Sequence, residues 1–226
     1  MTERRSALTY TISVKRQKNA EDRSYFAVYE YEADGRESVA TMLEKLNAGL
    51  EEPIGWQCSC LQKKCGACAM VINGVPRLAC STFLEDTGRK IKLEPLSKFP
   101  VIRDLIVDRS FIFDQLKAMK IWTDGKAPKA AASDPLSFKA AACLMCGCCL
   151  EVCPNFSPAS GHMGAIGMAN AYRVERTEDD AAHVSDLKKA YTEKVFNTCG
   201  KSFSCIDVCP KGLPIEELMV KNIRSL

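Results

Sequence analysis

Long apolar runs are missing from these 226 residues: none approaches the roughly 18 to 20 consecutive apolar positions needed to cross a bilayer. The start, Met1-Thr-Glu-Arg-Arg-Ser-Ala, has no apolar core behind it of the kind a secretory signal carries. The chain is therefore expected to stay in the cytoplasm and to meet a membrane only through a partner. Excess charge of one sign is missing too. Lysine and arginine total 31 against 28 aspartates and glutamates, and the resulting +3 is too small to argue for nucleic acid or an acidic membrane surface. Histidine is nearly absent, and the two present, His162 and His183, are read as exposed or packing residues. The 46% hydrophobic and 26% charged content is that of an ordinary globular protein, and the length suits two domains with cores of their own.

What the chain has in abundance is cysteine. Without a secretory signal, thirteen cysteines are expected to be metal ligands rather than a disulfide framework. They fall into three groups, Cys58 to Cys80, Cys143 to Cys153 and Cys199 to Cys209, with long cysteine-free stretches between.

Around these groups the texture changes once. Residues 8–15 and 25–31 are rich in β-branched and aromatic residues with partial alternation, which predicts paired strands. Ser38 is placed to cap a helix carrying Val39, Met42, Leu43 and Leu46 on one face, with Gly49 to end it. Short strands are expected at 69–72, 77–80 and 90–93, with Asn73-Gly74 as a tight turn. From Asp104 onward Leu105, Ile106, Phe111, Ile112, Leu116 and Met119 recur at helical spacing, with no strand signal after them. Residues 123–135 read as a plain surface connector, and no repeat is evident beyond the endings Cys153-Pro154 and Cys209-Pro210. The expected fold is α+β. A β-grasp, plant-type ferredoxin domain over 1–102 precedes an all-helical, bacterial-type ferredoxin domain over 103–226.

Cysteine spacing names the chemistry. Cys60, Cys65 and Cys68, followed by Cys80, reproduce the plant-type 2Fe-2S pattern of four residues, then two, then a distant fourth thiol. A rhomb needs two thiolates on each iron, and Gly66 suits the irregular loop that must gather them. A structural zinc site also accepts four cysteines, but it usually shows two short Cys-x-x-Cys knuckles. Cys58 is out of register and is expected to be a small buried side chain near the site.

Cys143, Cys146, Cys149 and Cys153-Pro154 form the bacterial run, in which the first three thiols hold one cluster and the fourth reaches across to another. The reciprocal run is Cys199, Ser202, Cys205 and Cys209-Pro210, with serine where a cysteine is wanted. Cys143, Cys146, Cys149 and Cys209 are thus a full set for 4Fe-4S. Cys153, Cys199 and Cys205 suit a 3Fe-4S cluster. Ser202 is a poor iron ligand that could still capture a fourth iron, and Cys148 is expected to be a packed bystander.

This order of sites resembles the iron–sulfur subunits of succinate dehydrogenases and fumarate reductases across essentially the whole chain. The likeness is carried by Cys65-Gly-Ala-Cys68-Ala-Met, Leu78-Ala79-Cys80, Ala171-Tyr172-Arg173 and Cys209-Pro210-Lys211-Gly212-Leu213, besides the cysteine runs. It implies a complex in which an FAD-containing flavoprotein subunit interconverts succinate and fumarate and a membrane anchor, in some cases a cytochrome b, binds quinone. This chain would relay electrons between them, peripheral to the cytoplasmic side of a bacterial inner membrane, with no catalytic residue of its own. Many ubiquinone-linked relatives carry paired tryptophans after the first Cys-Pro and a histidine after the first cysteine of the last run. Here those stretches are Asn155-Phe156-Ser157-Pro158 and Cys199-Gly200, so menaquinone is the favoured quinone. Lys211 is a candidate for the quinone headgroup or for a backbone carbonyl.

Overall fold

The computed structural model describes residues 8–123 and 134–225; the first seven residues and most of the expected connector at 123–135 lie outside them. The chain divides into two compact units, Met1–Asp108 and Arg109–Leu226.

The first unit is built on alternation. In β1 (Leu8–Arg16) every second residue, Tyr10, Ile12 and Val14, is buried, as the period of two of a half-covered strand requires. β2 (Tyr25–Ala33) runs antiparallel to it from Leu8↔Ala33 to Arg16↔Tyr25. Then comes α1 (Val39–Ala48). Ser38 Oγ accepts the Thr41 backbone N–H at 3.1 Å, while Val39, Met42 and Leu43 are buried. β3 (Ala69–Ile72), β4 (Val75–Leu78) and β5 (Lys90–Glu94) complete a five-stranded sheet of order β2-β1-β5-β3-β4, in which only β1 and β5 run parallel.

Two departures from the sequence expectation matter for the site. Asn73 and Gly74, both at positive φ, make a two-residue turn, so pairing resumes at Val75 and not at Arg77. The strand therefore ends at Leu78, and Cys80 rides on the 3₁₀ turn Ala79–Ser81 that follows. Residues 104–107 are also not helical. β6 (Val101–Arg103) and β7 (Ile106–Val107) form a ribbon, and the expected domain junction after 102 falls inside it.

Asp104, at the tip of that ribbon, explains why. Its carboxylate meets Arg16 Nε at 3.0 Å and accepts the backbone N–H groups of Gln17 at 2.9 Å and Gly55 at 2.7 Å. Arg16 in turn donates to Tyr29 Oη at 2.8 Å and to the Glu52 and Pro53 carbonyls. Both side chains of the pair are more than nine-tenths buried. One carboxylate thus ties together β1, the 50–55 segment and the ribbon.

The second unit contains no strand among its described residues. Its helices are α2 (Ser110–Ala118), α3 (Pro135–Ala140), α4 (Cys148–Glu151), α5 (Gly164–Glu175), α6 (Ala181–Tyr191), α7 (Ser204–Asp207) and α8 (Ile215–Ser225), with a π-helical turn at Thr192–Phe196 extending α6. The centre is α5. Every residue from Gly164 to Tyr172 is buried, which is the signature of a helix covered on all sides. Gly167 permits this, because a Cβ there would lie 2.6 Å from Val195 Cγ2. Asn222 of α8 donates to the Met168 carbonyl at 3.0 Å. No described helix is long and apolar enough to cross a membrane.

Removing one charge of a buried, hydrogen-bonded pair leaves the other uncompensated, at a cost of about 3 kcal/mol. Asp104→Asn keeps the size and tolerates the residue's positive φ. It should lower the stability of the first unit by about that amount in urea denaturation followed by circular dichroism; an unchanged midpoint would remove the pair from the account of the fold.

Candidate metal centres

The first cysteine group lies on an irregular segment whose backbone turns left-handed at Leu61, Lys63 and Gly66. These reversals aim N–H groups at sulfur. Cys60 Sγ accepts from the Gln62 and Lys64 amides at 3.3 and 3.2 Å, Cys80 Sγ from Lys63 at 3.4 Å, and Cys65 Sγ from Ala67 at 3.5 Å. The four thiols lie close together: Cys60 interacts with Cys65, and Cys68 with both Cys80 and Cys65. The amides of Gln62 and Lys64 bring the Cys60 thiol down to about 7, while burial pushes Cys68 up to about 12. Cys58 is exposed, not buried as expected; it lies on the irregular stretch before the loop, where no packed element covers it.

The second and third groups repeat one backbone. Met145 and Gly147 flank Cys146 with positive φ, and α4 follows; Lys201 and Phe203 flank Ser202 with positive φ, and α7 follows. The two reciprocal runs thus share their backbone turns as well as their spacing, and Ser202 occupies the slot that Cys146 holds in the other run. The thiols of both runs line two cavities. Cys143, Cys146, Cys149 and Cys209 line the first, against Ala165 and Ile166 of α5. The second is lined by Cys153, Cys199 and Cys205 with Ser202, and Cys149 borders it as well.

Burial raises the Cys143 and Cys205 thiols to about 11 and Cys149 well above its ordinary value. Buried thiolates need positive charge beside them. Cys146 goes the other way, to about 7, because the Cys148 thiol donates to it; Arg109, which also donates to the Cys146 carbonyl at 3.1 Å, adds to this. Cys148 is fully buried, as a bystander should be.

Among the described residues no three His, Cys, Asp or Glu side chains are grouped to hold a metal ion. The thiols instead surround cavities. That donor set fits polynuclear iron–sulfur groups, whose own sulfides hold the metal ions apart and whose charge compensates buried thiolates.

Two further residues line the cavities. Lys211 is exposed and lines the first cavity, not the second. His162 is buried and lines the second. An isolated histidine in a sequence carries no signal of that kind.

Comparison with known proteins agrees with this division. A model described as a 2Fe-2S iron–sulfur cluster binding domain matches residues 11–114, and one described as a 4Fe-4S dicluster domain matches residues 139–213. The succinate dehydrogenase iron–sulfur subunit of Bacillus subtilis is 37% identical over 172 residues, covering 72% of this chain and 68% of its own. This chain belongs to the family of succinate dehydrogenase and fumarate reductase iron–sulfur subunits. It is thus homologous to the iron–sulfur subunit of an oxidoreductase complex. The fumarate reductase iron–sulfur subunit of Escherichia coli O157:H7 is 29% identical over 193 residues, 82% of this chain and 79% of its own. In fold, a chain of the Mycobacterium smegmatis Sdh1 complex in the apo form superposes with a TM-score of 0.80 at 24% identity, over 97% of this chain and 96% of that one.

If Cys58 and Cys148 are both outside the ligand sets, their accessibility should separate them. In the iron-loaded chain a maleimide should modify Cys58 at neutral pH and reach Cys148 only after denaturation, as read by peptide mass spectrometry. Cys58→Ser and Cys148→Ala should each keep the parent's iron and acid-labile sulfide; a loss in either variant would make that residue a ligand.

Proposed function

We propose that this subunit relays electrons between an FAD-containing flavoprotein subunit and a membrane-bound quinone, with menaquinone favoured, through three iron–sulfur clusters. The first unit, read as a β-grasp ferredoxin domain, holds 2Fe-2S on Cys60, Cys65, Cys68 and Cys80. The second holds 4Fe-4S on Cys143, Cys146, Cys149 and Cys209, and 3Fe-4S on Cys153, Cys199 and Cys205. The observation that carries the reading is the gathering of the thiols of the second and third groups around two cavities, Cys143, Cys146, Cys149 and Cys209 around one and Cys153, Cys199 and Cys205 with Ser202 around the other, with Cys149 at the border of both. The closeness of Cys60, Cys65, Cys68 and Cys80 supports the first site, since a rhomb takes four thiolates in all.

When bound, the clusters supply reversible one-electron transfer. The chain's own residues set the conditions. The amides of Gln62, Lys63 and Lys64 donate to cysteine sulfur and offset thiolate charge, which stabilises the more negative, reduced state. Ala165 and Ile166, both buried, keep water from the first cavity.

The preference for menaquinone rests on the terminal end. The stretch Asn155–Pro158 stands where ubiquinone-linked relatives carry paired tryptophans, and Gly200 where they carry a histidine; the Gly200 amide donates to Asn155 Oδ1 at 3.2 Å, and a Cβ at 200 would lie 2.8 Å from the same oxygen. The two stretches therefore meet through Asn155 and Gly200. With such a quinone, fumarate reduction is at least as well served as succinate oxidation. Contact with an anchor subunit would hold the chain at the cytoplasmic face of a bacterial inner membrane.

Low-temperature EPR of the purified complex at stepped potentials tests the cluster assignment. The oxidised protein should give a 3Fe-type signal, and none would overturn the ligand sets. In Ser202→Cys that signal should disappear as the fourth slot gains a thiolate and the iron content rises by about one per chain, a full tetrad being what 4Fe-4S requires. Assays of quinol-driven fumarate reduction with menaquinone and ubiquinone analogues should favour the former.

A further inference from the structure

His162 is more than nine-tenths buried, and its Nε2 has no hydrogen-bond partner in the protein. A buried imidazole nitrogen without a partner is costly, and native interiors rarely contain one. The other nitrogen is engaged: Nδ1 lies 2.6 Å from Thr198 Oγ1. Thr198 is the neighbour of Cys199, so the hydroxyl that fixes the ring is on the same turn as a thiol of the second cavity. His162 itself lines that cavity, beside Cys153, Cys199 and Cys205. Gly164 clears the space around the ring edge, since a Cβ there would come within 3.2 Å of Nε2.

We infer that His162 donates its Nε2–H to a sulfur of the cluster in this cavity, sulfide or cysteine thiolate, and thereby raises that cluster's potential. The inference rests on the reading of the cavity as a 3Fe-4S site. Its chemistry is self-consistent. Sulfur in an anionic cluster accepts hydrogen bonds and repels a lone pair, which selects the tautomer with the proton on Nε2. Nδ1 is then an acceptor, and the Thr198 hydroxyl, which can also donate to the Val195 carbonyl at 3.4 Å, turns to it across the shorter contact. Burial lowers the histidine's proton affinity, opposed by a hydrogen bond to the Lys194 carbonyl. A neutral donor adds no net charge to the site but stabilises the reduced cluster more than the oxidised one, because the reduced cluster carries more negative charge.

The chain's two histidines make the test specific. The intact complex is prepared with ¹⁵N-histidine, and pulsed EPR is recorded on the oxidised 3Fe-type signal. A weakly coupled ¹⁵N is expected in the parent protein and should vanish in His162→Gln and His162→Leu. Redox titration should move the midpoint downward in His162→Leu. His162→Gln, which retains an N–H donor, should recover part of that shift. Four results would overturn the inference: no coupling in the parent, a coupling that survives both substitutions, a strong coupling diagnostic of direct iron ligation, or an unmoved midpoint in His162→Leu. Absence of the 3Fe-type signal altogether is a different failure, that of the cluster assignment. The parent measurement needs no variant, and the Gln variant keeps a polar side chain of similar reach should the Leu variant fail to assemble.

Discussion

Everything in this molecule that bears on function depends on bending the backbone so that amides face sulfur. A right-handed chain cannot do this over three or four residues. The turns around Cys60 to Cys68, Cys146 and Ser202 accordingly place Leu61, Lys63, Met145, Lys201 and Phe203 in the left-handed region, alongside Gly66 and Gly147. Each side chain held there costs on the order of 1 kcal/mol. Hydrogen bonds from amide to sulfur, from Gln62 and Lys64 to Cys60 and from Lys63 to Cys80, offset part of that.

The rest of the fold holds those turns still. In the first unit the sheet carries the thiol of Cys80 just past the end of β4, and the Arg16–Asp104 pair anchors the 50–55 segment that leads into the loop. In the second unit α5 is the common wall. It presents Ala165 to both cavities, and small residues at 164, 165 and 167 let the thiol-bearing turns and the π-helical turn approach closely. A wider side chain in this stretch would push the two runs apart.

Much of this was legible before any coordinates. Cysteine spacing picks out the thiols that line each cavity, because chelation by a short loop admits few spacings. Alternation in β1 and the Ser38 cap fix the opening of the sheet unit because both are local signals. What escaped was whatever depends on distant partners. The ribbon at 101–107 has strands too short to show a period, and Asp104 acts through residues 49 and 88 positions away. Leu105 and Ile106 fall at helical spacing with the residues beyond them, yet Asp104 holds that stretch in the ribbon. The turns shared by the two runs are written in backbone handedness, with Gly147 matched by Phe203, a substitution no pattern of residue types would pair. Cys58 was assigned by the habit of its residue type, and its surroundings reversed that; His162 is buried, as a packing residue is, but its place beside a cavity could not be read from the sequence.

The contact between Asn155 and Gly200 has a consequence for how such a chain can change over time. The two positions are far apart in sequence but share one small volume, so neither can drift alone. Any side chain arriving at 200 meets the amide of Asn155 first, and a larger residue at 155 would lose the backbone donor that now faces it. Variation at this end of the molecule should therefore be epistatic: a viable route to another pair passes through a change at 155 that frees the space before 200 gains a side chain.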